Sequence, residues 1–212
     1  MLMRVPHLVQ YQGSKRTIAP EIIKYFPMKF NRLIEPFSGT CAVTILTAIE
    51  RKCEQFWVND INEPLIRLMQ ECVNHPKKLV SDYSDIWNGQ FCDGQNNIDY
   101  FYKIRNEFNQ GSNDPARTLF LLARLVKGAV RYNSNGELNQ SCDKRRNGTK
   151  PEMIEYNAYS ISNLLKEKIQ FSCIDYKEVL AMAKSGDIVY LDPPYQRTSK
   201  SESKRDHRLK YD

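Results

Sequence analysis

The sequence predicts an α/β fold with a parallel sheet that is interrupted by a long insertion. Two short apolar segments, at residues 32–36 and 55–60, end in proline or an acid, and each is followed by a helical pattern. Short apolar segments followed by polar residues return at residues 169–175 and 187–195. This alternation is typical of parallel strand–helix–strand units. We therefore predict four strands of one sheet, with the insertion between the second and the third.

Helical periodicity supports the first two of these units. Val43, Leu46 and Ile49 recur at the spacing that places them on one face of a helix. Asn62 is a residue type that caps helices, and Pro64 suits the first turn of the helix after the second strand. Both helices are therefore predicted to be amphipathic.

The insertion is predicted to be mainly helical and to end in a β-hairpin. Helical patterns run from residue 76 to about residue 127. The sequence NSNG at residues 133–136 then predicts a tight turn between two short extended segments, and a basic loop follows. The predicted organisation is an α/β domain of residues 1–74 and 150–212 with an inserted unit of residues 75–149.

Composition limits the class of protein. The chain has 212 residues, 41% of them hydrophobic, and a formal net charge of +6. A basic balance favours polyanionic partners, although spare surface lysines produce the same charge. The six cysteines are scattered and form no Cys-x-x-Cys pair, so we predict free thiols, no metal site and a reduced cytoplasmic location. No apolar stretch approaches the ~20 residues of a membrane span, and the N-terminus does not resemble a signal peptide.

Polar residues at the predicted strand ends suit a ligand that contains a nucleoside. The carboxyl ends of parallel strands lie at one edge of a sheet, so these residues are expected to share a pocket. Gly39 would let the backbone approach a ligand at a helix N-terminus, and Asp60 would accept hydrogen bonds from ribose hydroxyls. A simple turn glycine and a helix-capping aspartate are the alternatives.

The last predicted strand ends in Asp192-Pro193-Pro194-Tyr195. The two prolines remove two backbone donors and stiffen the loop, which fixes the carbonyl groups around them. A carboxylate, rigid carbonyls and an aromatic ring together suit a planar group with an exocyclic amine, such as a nucleobase. The alternative is a proline turn that merely leaves the strand.

These segments, in this order, resemble the DNA adenine methyltransferases whose target-recognition domain is inserted before the catalytic motif. YQGSK at residues 11–15 resembles their N-terminal cofactor-binding motif, EPFSGTCAV at 35–43 their glycine motif, and NDIN at 59–62 their ribose-binding acid. FYKIRNEFN and VRYNSNGELNQ resemble stretches of the recognition domain, and DPPY resembles the catalytic motif. The resemblance covers nearly all of the chain. It departs at Cys41, where the family usually has a second glycine.

The resemblance implies a Rossmann-like, S-adenosylmethionine-dependent methyltransferase sheet. Residues 1–74 and 150–212 would form the catalytic domain, and residues 75–149 would recognise the target. Tyr11 and Lys15 would contact the cofactor, Asp60 would hold its ribose, and Asp175 or its neighbours would lie near its adenine. The expected cofactor-binding set is Tyr11, Lys15, Glu35, Pro36, Phe37, Gly39, Asp60, Asp175 and Asp192.

The resemblance also implies a mechanism in which adenine is flipped out of the duplex, because its amine is otherwise buried in base pairing. The expected catalytic residues are Asp192, Pro193, Pro194 and Tyr195. The Asp192 carboxylate and the Pro193 carbonyl would accept hydrogen bonds from the amine, while Tyr195 stacks on the base. Catalysis would depend on positioning and electrostatics, without a covalent enzyme intermediate.

Double-stranded DNA is the expected partner, and its binding is placed on the insertion. Basic residues would contact phosphates and asparagines of the hairpin would reach base edges. A solvated charged surface is the alternative. The expected DNA-binding residues are Arg124, Lys127, Arg131, Asn133, Asn135, Asn139, Lys144, Arg145 and Arg146.

Two other functions stay open at this point. DPPY also suits methylation of the exocyclic amine of cytosine. The family's sheet has seven strands, of which four are recognisable here, so we expect its C-terminal strands to be missing from this chain. The chain would then be a truncated or split half-enzyme that only binds DNA or cofactor, or it would need a second polypeptide for robust activity. A cognate restriction endonuclease is a further partner that the resemblance leaves open.

Overall fold

A computed structural model describes residues 5–194, except for the side chain of Lys127. Four strands form one sheet in the order β3-β2-β1-β4, and all neighbouring strands are parallel. The predicted four-stranded parallel sheet is therefore confirmed, while Tyr195 lies outside the described residues. The strands are β1 Arg32–Glu35, β2 Gln55–Asn59, β3 Ile169–Ser172 and β4 Asp187–Val189.

Both faces of the central strands are buried, which explains their continuous apolar runs. Successive side chains of a strand point to opposite faces. Phe56 and Val58 of β2 pack into the main hydrophobic core, whereas Trp57 packs on the other face with Ile34 and Val179. The strands end before the acids that terminate the apolar segments, so those acids lie in loops at the edge of the sheet.

Eight α-helices lie within the described part of the chain. The helices after the first two strands and those between residues 76 and 127 lie where helical patterns were predicted, but the short helical segment between residues 15 and 25 was not predicted. None of the described helices is both long and apolar enough to cross a membrane. The helices are α1 Ala19–Ile22, α2 Ala42–Ile49, α3 Glu63–Asn74, α4 Pro76–Gly89, α5 Asn97–Asn109, α6 Pro115–Arg124, α7 Pro151–Leu165 and α8 Tyr176–Ala181.

The inserted helices share a core with the α/β part of the chain. Helix α4 packs on α7, and α6 packs on both α3 and α4. Leu68 of α3, Leu119 of α6 and Ile154 of α7 are all fully buried in one hydrophobic cluster. The insertion is therefore attached through continuous packing, and its predicted boundaries at residues 75–149 stay a prediction.

The predicted hairpin is present in a minimal form. Tyr132 and Leu138 form an isolated antiparallel bridge, and a second bridge closes the base. Asn133 holds the turn, because its Oδ1 accepts hydrogen bonds from the backbone N–H groups of Asn135 (2.9 Å) and Glu137 (3.0 Å). The hairpin therefore owes its shape mainly to the turn and its side-chain hydrogen bonds.

Candidate cofactor and catalytic pocket

A cavity of about 400 Å³ lies beyond the carboxyl ends of the strands. Most of its lining comes from four stretches that the sequence motifs had singled out, at residues 11–15, 35–43, 60–62 and 190–194. The volume lies within the range of roughly 300–1,000 Å³ that is usual for small-molecule sites. Three of the four predicted strand ends, those after β1, β2 and β4, share this cavity, whereas the end of β3 contributes no lining residue.

The glycine loop and the acid after β2 are joined by hydrogen bonds. Gly39 has a φ of +50° and donates its backbone N–H to Asp60 Oδ2 at 2.9 Å. Asp60 Oδ1 accepts from the backbone N–H of Asn62 at 2.9 Å. Burial raises the pKa of Asp60, and these two hydrogen bonds oppose that rise. Each carboxylate oxygen keeps a further acceptor position, which is what a pair of ribose hydroxyls requires.

The backbone conformation of Cys41 explains why the family that the sequence resembles usually has a glycine at this position. Its φ of +57° and ψ of +34° lie in the left-handed region, which costs a residue other than glycine roughly 1–2 kcal/mol. The side chain is fully buried, and burial raises the pKa of its thiol well above the ordinary value. The loop therefore tolerates cysteine with its turn conformation retained.

Glu35 places a second carboxyl group in the pocket, at the end of β1. It is only 2% exposed, and its Oε1 accepts hydrogen bonds from the backbone N–H (2.6 Å) and the hydroxyl (2.5 Å) of Thr44. Burial raises the pKa of Glu35 to about 7; the Thr44 hydrogen bonds lower it, and the Asp192 carboxylate raises it further. This carboxyl group therefore changes its charge near neutral pH.

The N-terminal loop is tied to the predicted catalytic motif by an ion pair. Lys15 Nζ lies 2.7 Å from Asp192 Oδ2, with side-chain exposures of 19% and 16%. The same ammonium donates to the carbonyl of Gly13 at 3.2 Å. Pro193 and Pro194 line the cavity beside Asp192. Lys15 therefore fixes the position of the Asp192 carboxylate.

Two predicted cofactor residues lie outside the lining. The carbonyl of Pro36 accepts a hydrogen bond from Asn59 Nδ2 at 3.1 Å. The Asp175 side chain caps the N-terminus of α8 by accepting a backbone N–H at 2.7 Å. The Asp175 carboxylate therefore has a capping role, and a contact between the cofactor and Asp175 or its neighbours stays a prediction. Its neighbour Tyr176 packs its ring 5.2 Å from that of Phe37, which does line the pocket.

Asn59, the first residue of the NDIN segment, has a structural role that was not predicted. It is fully buried, and its Nδ2 donates to the carbonyls of Pro36 (3.1 Å) and Ile174 (3.0 Å). Its Oδ1 accepts from the Ser172 hydroxyl (2.7 Å) and the Ile174 N–H (3.0 Å). Asn59 thus holds together the loops that follow β1, β2 and β3. In the sequence, the only indication of this role was an asparagine at the end of an apolar segment.

Asn62 occupies the predicted N-cap position of α3 without a side-chain capping bond. Its Nδ2 instead donates to the Tyr11 hydroxyl at 3.4 Å, and the nearby Asn62 side chain opposes the rise that burial causes in the pKa of Tyr132. Tyr132 and Val130, from the insertion, line the cavity as well. No sequence signal linked these insertion residues to the pocket.

The predicted DNA-binding residues differ in exposure, and the side chain of Lys127 lies outside the described part of the chain. Those with exposed side chains retain a DNA contact as a prediction, and they are Arg131, Asn135, Asn139, Lys144, Arg145 and Arg146. Arg145 and Arg146 lie close to Asp143, and Arg146 Nε donates to Asp143 Oδ2 at 2.8 Å. The basic loop is therefore partly neutralised by its own aspartate.

The DNA contact predicted for Arg124 is corrected. Arg124 is 1% exposed, and its guanidinium donates to Gln90 Oε1 and to the carbonyl of Asn97 at 3.4 Å. A phosphate does not reach a side chain that is enclosed in this way. The Asn133 side chain is used by the hairpin turn, where its Nδ2 also donates to Glu137 Oε2 at 2.6 Å. A contact between Asn133 and a base edge stays a prediction.

The comparison with known families agrees with this geometry. Residues 11–208 match the sequence profile described as D12 class N6 adenine-specific DNA methyltransferase. The match covers far more than half of the chain, so the protein belongs to this family of methyltransferases. The predicted family is confirmed.

Three curated relatives show how far the similarity extends. The Type II methyltransferase M.MjaIII of Methanocaldococcus jannaschii is 28% identical over 215 residues, covering 95% of this chain and 73% of the relative. A DNA adenine methylase of Haemophilus influenzae is 31% identical over 191 residues, covering 88% and 63%. The Retron Ec67 DNA adenine methylase of Escherichia coli is 30% identical over 196 residues, covering 90% and 64%. The chain thus spans about two thirds of the length of these relatives.

Proposed function

We propose that this chain transfers a methyl group from S-adenosylmethionine to the exocyclic amine of an adenine in double-stranded DNA. The observation that carries the proposal is the position of Asp192, whose carboxylate is paired with Lys15 in the same cavity as Gly39 and Asp60. One pocket therefore joins a nucleoside-binding half to a carboxylate that accepts hydrogen bonds from an amine. Adenine is proposed over cytosine because the matching family is described as specific for N6 of adenine.

The pocket chemistry fits S-adenosylmethionine. Asp60 would accept hydrogen bonds from the ribose hydroxyls, and the glycine loop gives the ligand close access to the backbone. The aromatic rings of Tyr11 and Phe37 offer flat apolar surface for an adenine ring. The carboxyl groups of Glu35 and Asp192 suit a ligand that carries positive charge. The cofactor would supply an electrophilic methyl group on sulfonium, which is a good leaving group.

The chain's own residues would act on the target amine. The Asp192 carboxylate and the Pro193 carbonyl accept its two hydrogens, which directs the nitrogen lone pair away from them and toward the methyl donor. Lys15 holds Asp192 in place with a 2.7 Å ion pair before the base arrives, so little reorganisation is needed. Stacking by Tyr195 stays a prediction.

Duplex binding is assigned to the exposed residues of the hairpin and the basic loop. Lys144, Arg145 and Arg146 would contact phosphates, which makes affinity fall as salt rises. Asn135 and Asn139 are exposed on the hairpin and would reach base edges. The similarity to a relative named as a Type II methyltransferase supports a cognate restriction endonuclease as a further partner.

A second polypeptide that completes the catalytic part stays a prediction. It is supported by β4, which lies at the edge of the described sheet with three half-buried residues, and by Leu191, which is 48% exposed. An unpaired strand edge offers free backbone donors and acceptors to a further strand.

Incorporation of tritiated methyl groups into duplex DNA tests the proposal. Asp192→Asn removes the charge that Lys15 balances and replaces one acceptor oxygen with a donor, so the rate is expected to fall by at least about 100-fold. Asp93→Asn, in an exposed loop, makes the same chemical change outside the site and should keep the wild-type rate. Equal rates for wild type and Asp192→Asn would remove the proposed role of Asp192.

A further inference from the structure

We propose that the inserted hairpin is part of the cofactor site, and that Tyr132 makes DNA binding and cofactor binding strengthen each other. The ligand of the pocket is the one named in the proposed function, on which this inference rests. Tyr132 and Val130 line the same cavity as Gly39 and Asp60, although they lie about 70 residues after Asp60 and about 90 after Gly39. The hairpin therefore supplies one wall of a cavity whose other walls come from the α/β part of the chain.

Asn62 is the residue that joins the hairpin to the pocket. Its backbone N–H donates to Asp60 at 2.9 Å, its side-chain amide donates to the Tyr11 hydroxyl at 3.4 Å, and the same side chain lies near Tyr132. Burial raises the pKa of both tyrosines, and the nearby Asp60 carboxylate raises them further. Both hydroxyls therefore keep a proton to donate to a ligand in the cavity. A ligand held by Asp60 meets groups whose positions depend on the hairpin.

The root of the hairpin is also fixed to the N-terminal cofactor loop through backbone atoms. Gln12 donates its N–H to the carbonyl of Gly128 at 3.0 Å. Gly128 has a φ of +63°, and a Cβ at this position would clash with the carbonyl of Gln10 and lie 2.9 Å from Tyr11 Cα. No other residue fits this approach. Movement of the hairpin root therefore moves the loop that carries Tyr11.

The opposite side of the hairpin is available to DNA. Arg131 is exposed while the next residue, Tyr132, lines the cavity, as expected for neighbours in an extended segment. Tyr132 is bridged to Leu138 on the other arm, which precedes the exposed Asn139. A duplex that orders these outer residues also orders Tyr132. By thermodynamic linkage, a filled pocket then favours duplex binding by the same factor.

Calorimetric titration with S-adenosylhomocysteine, with and without a pool of duplex oligonucleotides of randomised sequence, tests this coupling. DNA is expected to tighten cofactor binding to the wild type by about 5-fold or more. Tyr132→Phe, which removes only the hydroxyl, should weaken binding without DNA and reduce the gain to under about twofold. Tyr25→Phe is the matched control, because Tyr25 is 90% exposed, and it should behave as wild type.

A pair of glycine variants tests the same coupling through the backbone. Gly128→Ala and Gly136→Ala both place alanine at a positive φ, but a Cβ at Gly136 would have no neighbour within 4 Å. Gly128→Ala should lose the DNA-dependent gain while Gly136→Ala keeps it, with folding of both checked by thermal melting. If DNA tightens cofactor binding to both Tyr132→Phe and Gly128→Ala as much as to the wild type, the inference is wrong but the proposed function stands. A wild-type protein that binds no S-adenosylhomocysteine overturns the proposed function as well.

Discussion

Glu35 is expected to make the stability of this protein fall as pH rises from 5 to 8. Its pKa is raised from an ordinary 4.5 to about 7, chiefly by burial. The folded state therefore prefers the protonated carboxyl, and this preference is fully present below pH 4.5 and lost as pH rises through 7. A pKa difference of this size corresponds to about 3 kcal/mol in the free energy of unfolding.

Glu35→Gln isolates this contribution. Glutamine stays neutral and keeps an oxygen for the two Thr44 hydrogen bonds. In urea unfolding at pH 5, 6, 7 and 8, the lead of the variant over the wild type should grow from under about 1 kcal/mol at pH 5 to about 3 kcal/mol at pH 8. Glu50→Gln, at the exposed end of α2, should follow the wild-type curve. Parallel curves for wild type and Glu35→Gln would refute the reasoning.

Arg124→Met is expected to lower the free energy of unfolding by about 2 kcal/mol, because the buried amide oxygen that Arg124 contacts loses its donor. The DNA affinity of this variant should depend on salt as that of the wild type does. A weaker salt dependence without a loss of stability would show that Arg124 contacts DNA after all. Neutralising Lys144, Arg145 and Arg146 together with glutamine should reduce the slope of log affinity against log salt by up to about 2.7, since each phosphate contact contributes about 0.9. Fluorescence anisotropy across a salt series measures both slopes, and an unchanged slope in the triple variant would show that the loop does not bind phosphates.

The sheet and most helices follow from local patterns. Short apolar runs that stop at a proline or an acid predicted the strands, because a strand that is buried on both faces needs apolar side chains on both. The order β3-β2-β1-β4 has no local signal, since it depends on how chain segments cross between distant strands. The capping role of Asp175 was visible in the Asp-x-x-Glu spacing to Glu178, which is typical of a helix start.

Part of the site was predictable, and the insertion's contribution was not. Gly39, Asp60 and Asp192 lie in motifs at strand ends, so topology alone brought them together. Tyr132 reaches the pocket through tertiary packing that hydrophobic periodicity does not encode. Arg124 was misassigned because its charge suggested a surface position, whereas its side chain is buried and hydrogen-bonded to Gln90 and Asn97.

The identity of the methylated base tests the central claim most directly. Duplex DNA treated with the purified chain and labelled S-adenosylmethionine is digested to nucleosides, which are separated and counted. The structure and the family predict label in N6-methyladenine with wild type and none with Asp192→Asn. Label in N4-methylcytosine, or no label in any nucleoside with wild type, would contradict the assignment of this chain as a DNA adenine methyltransferase.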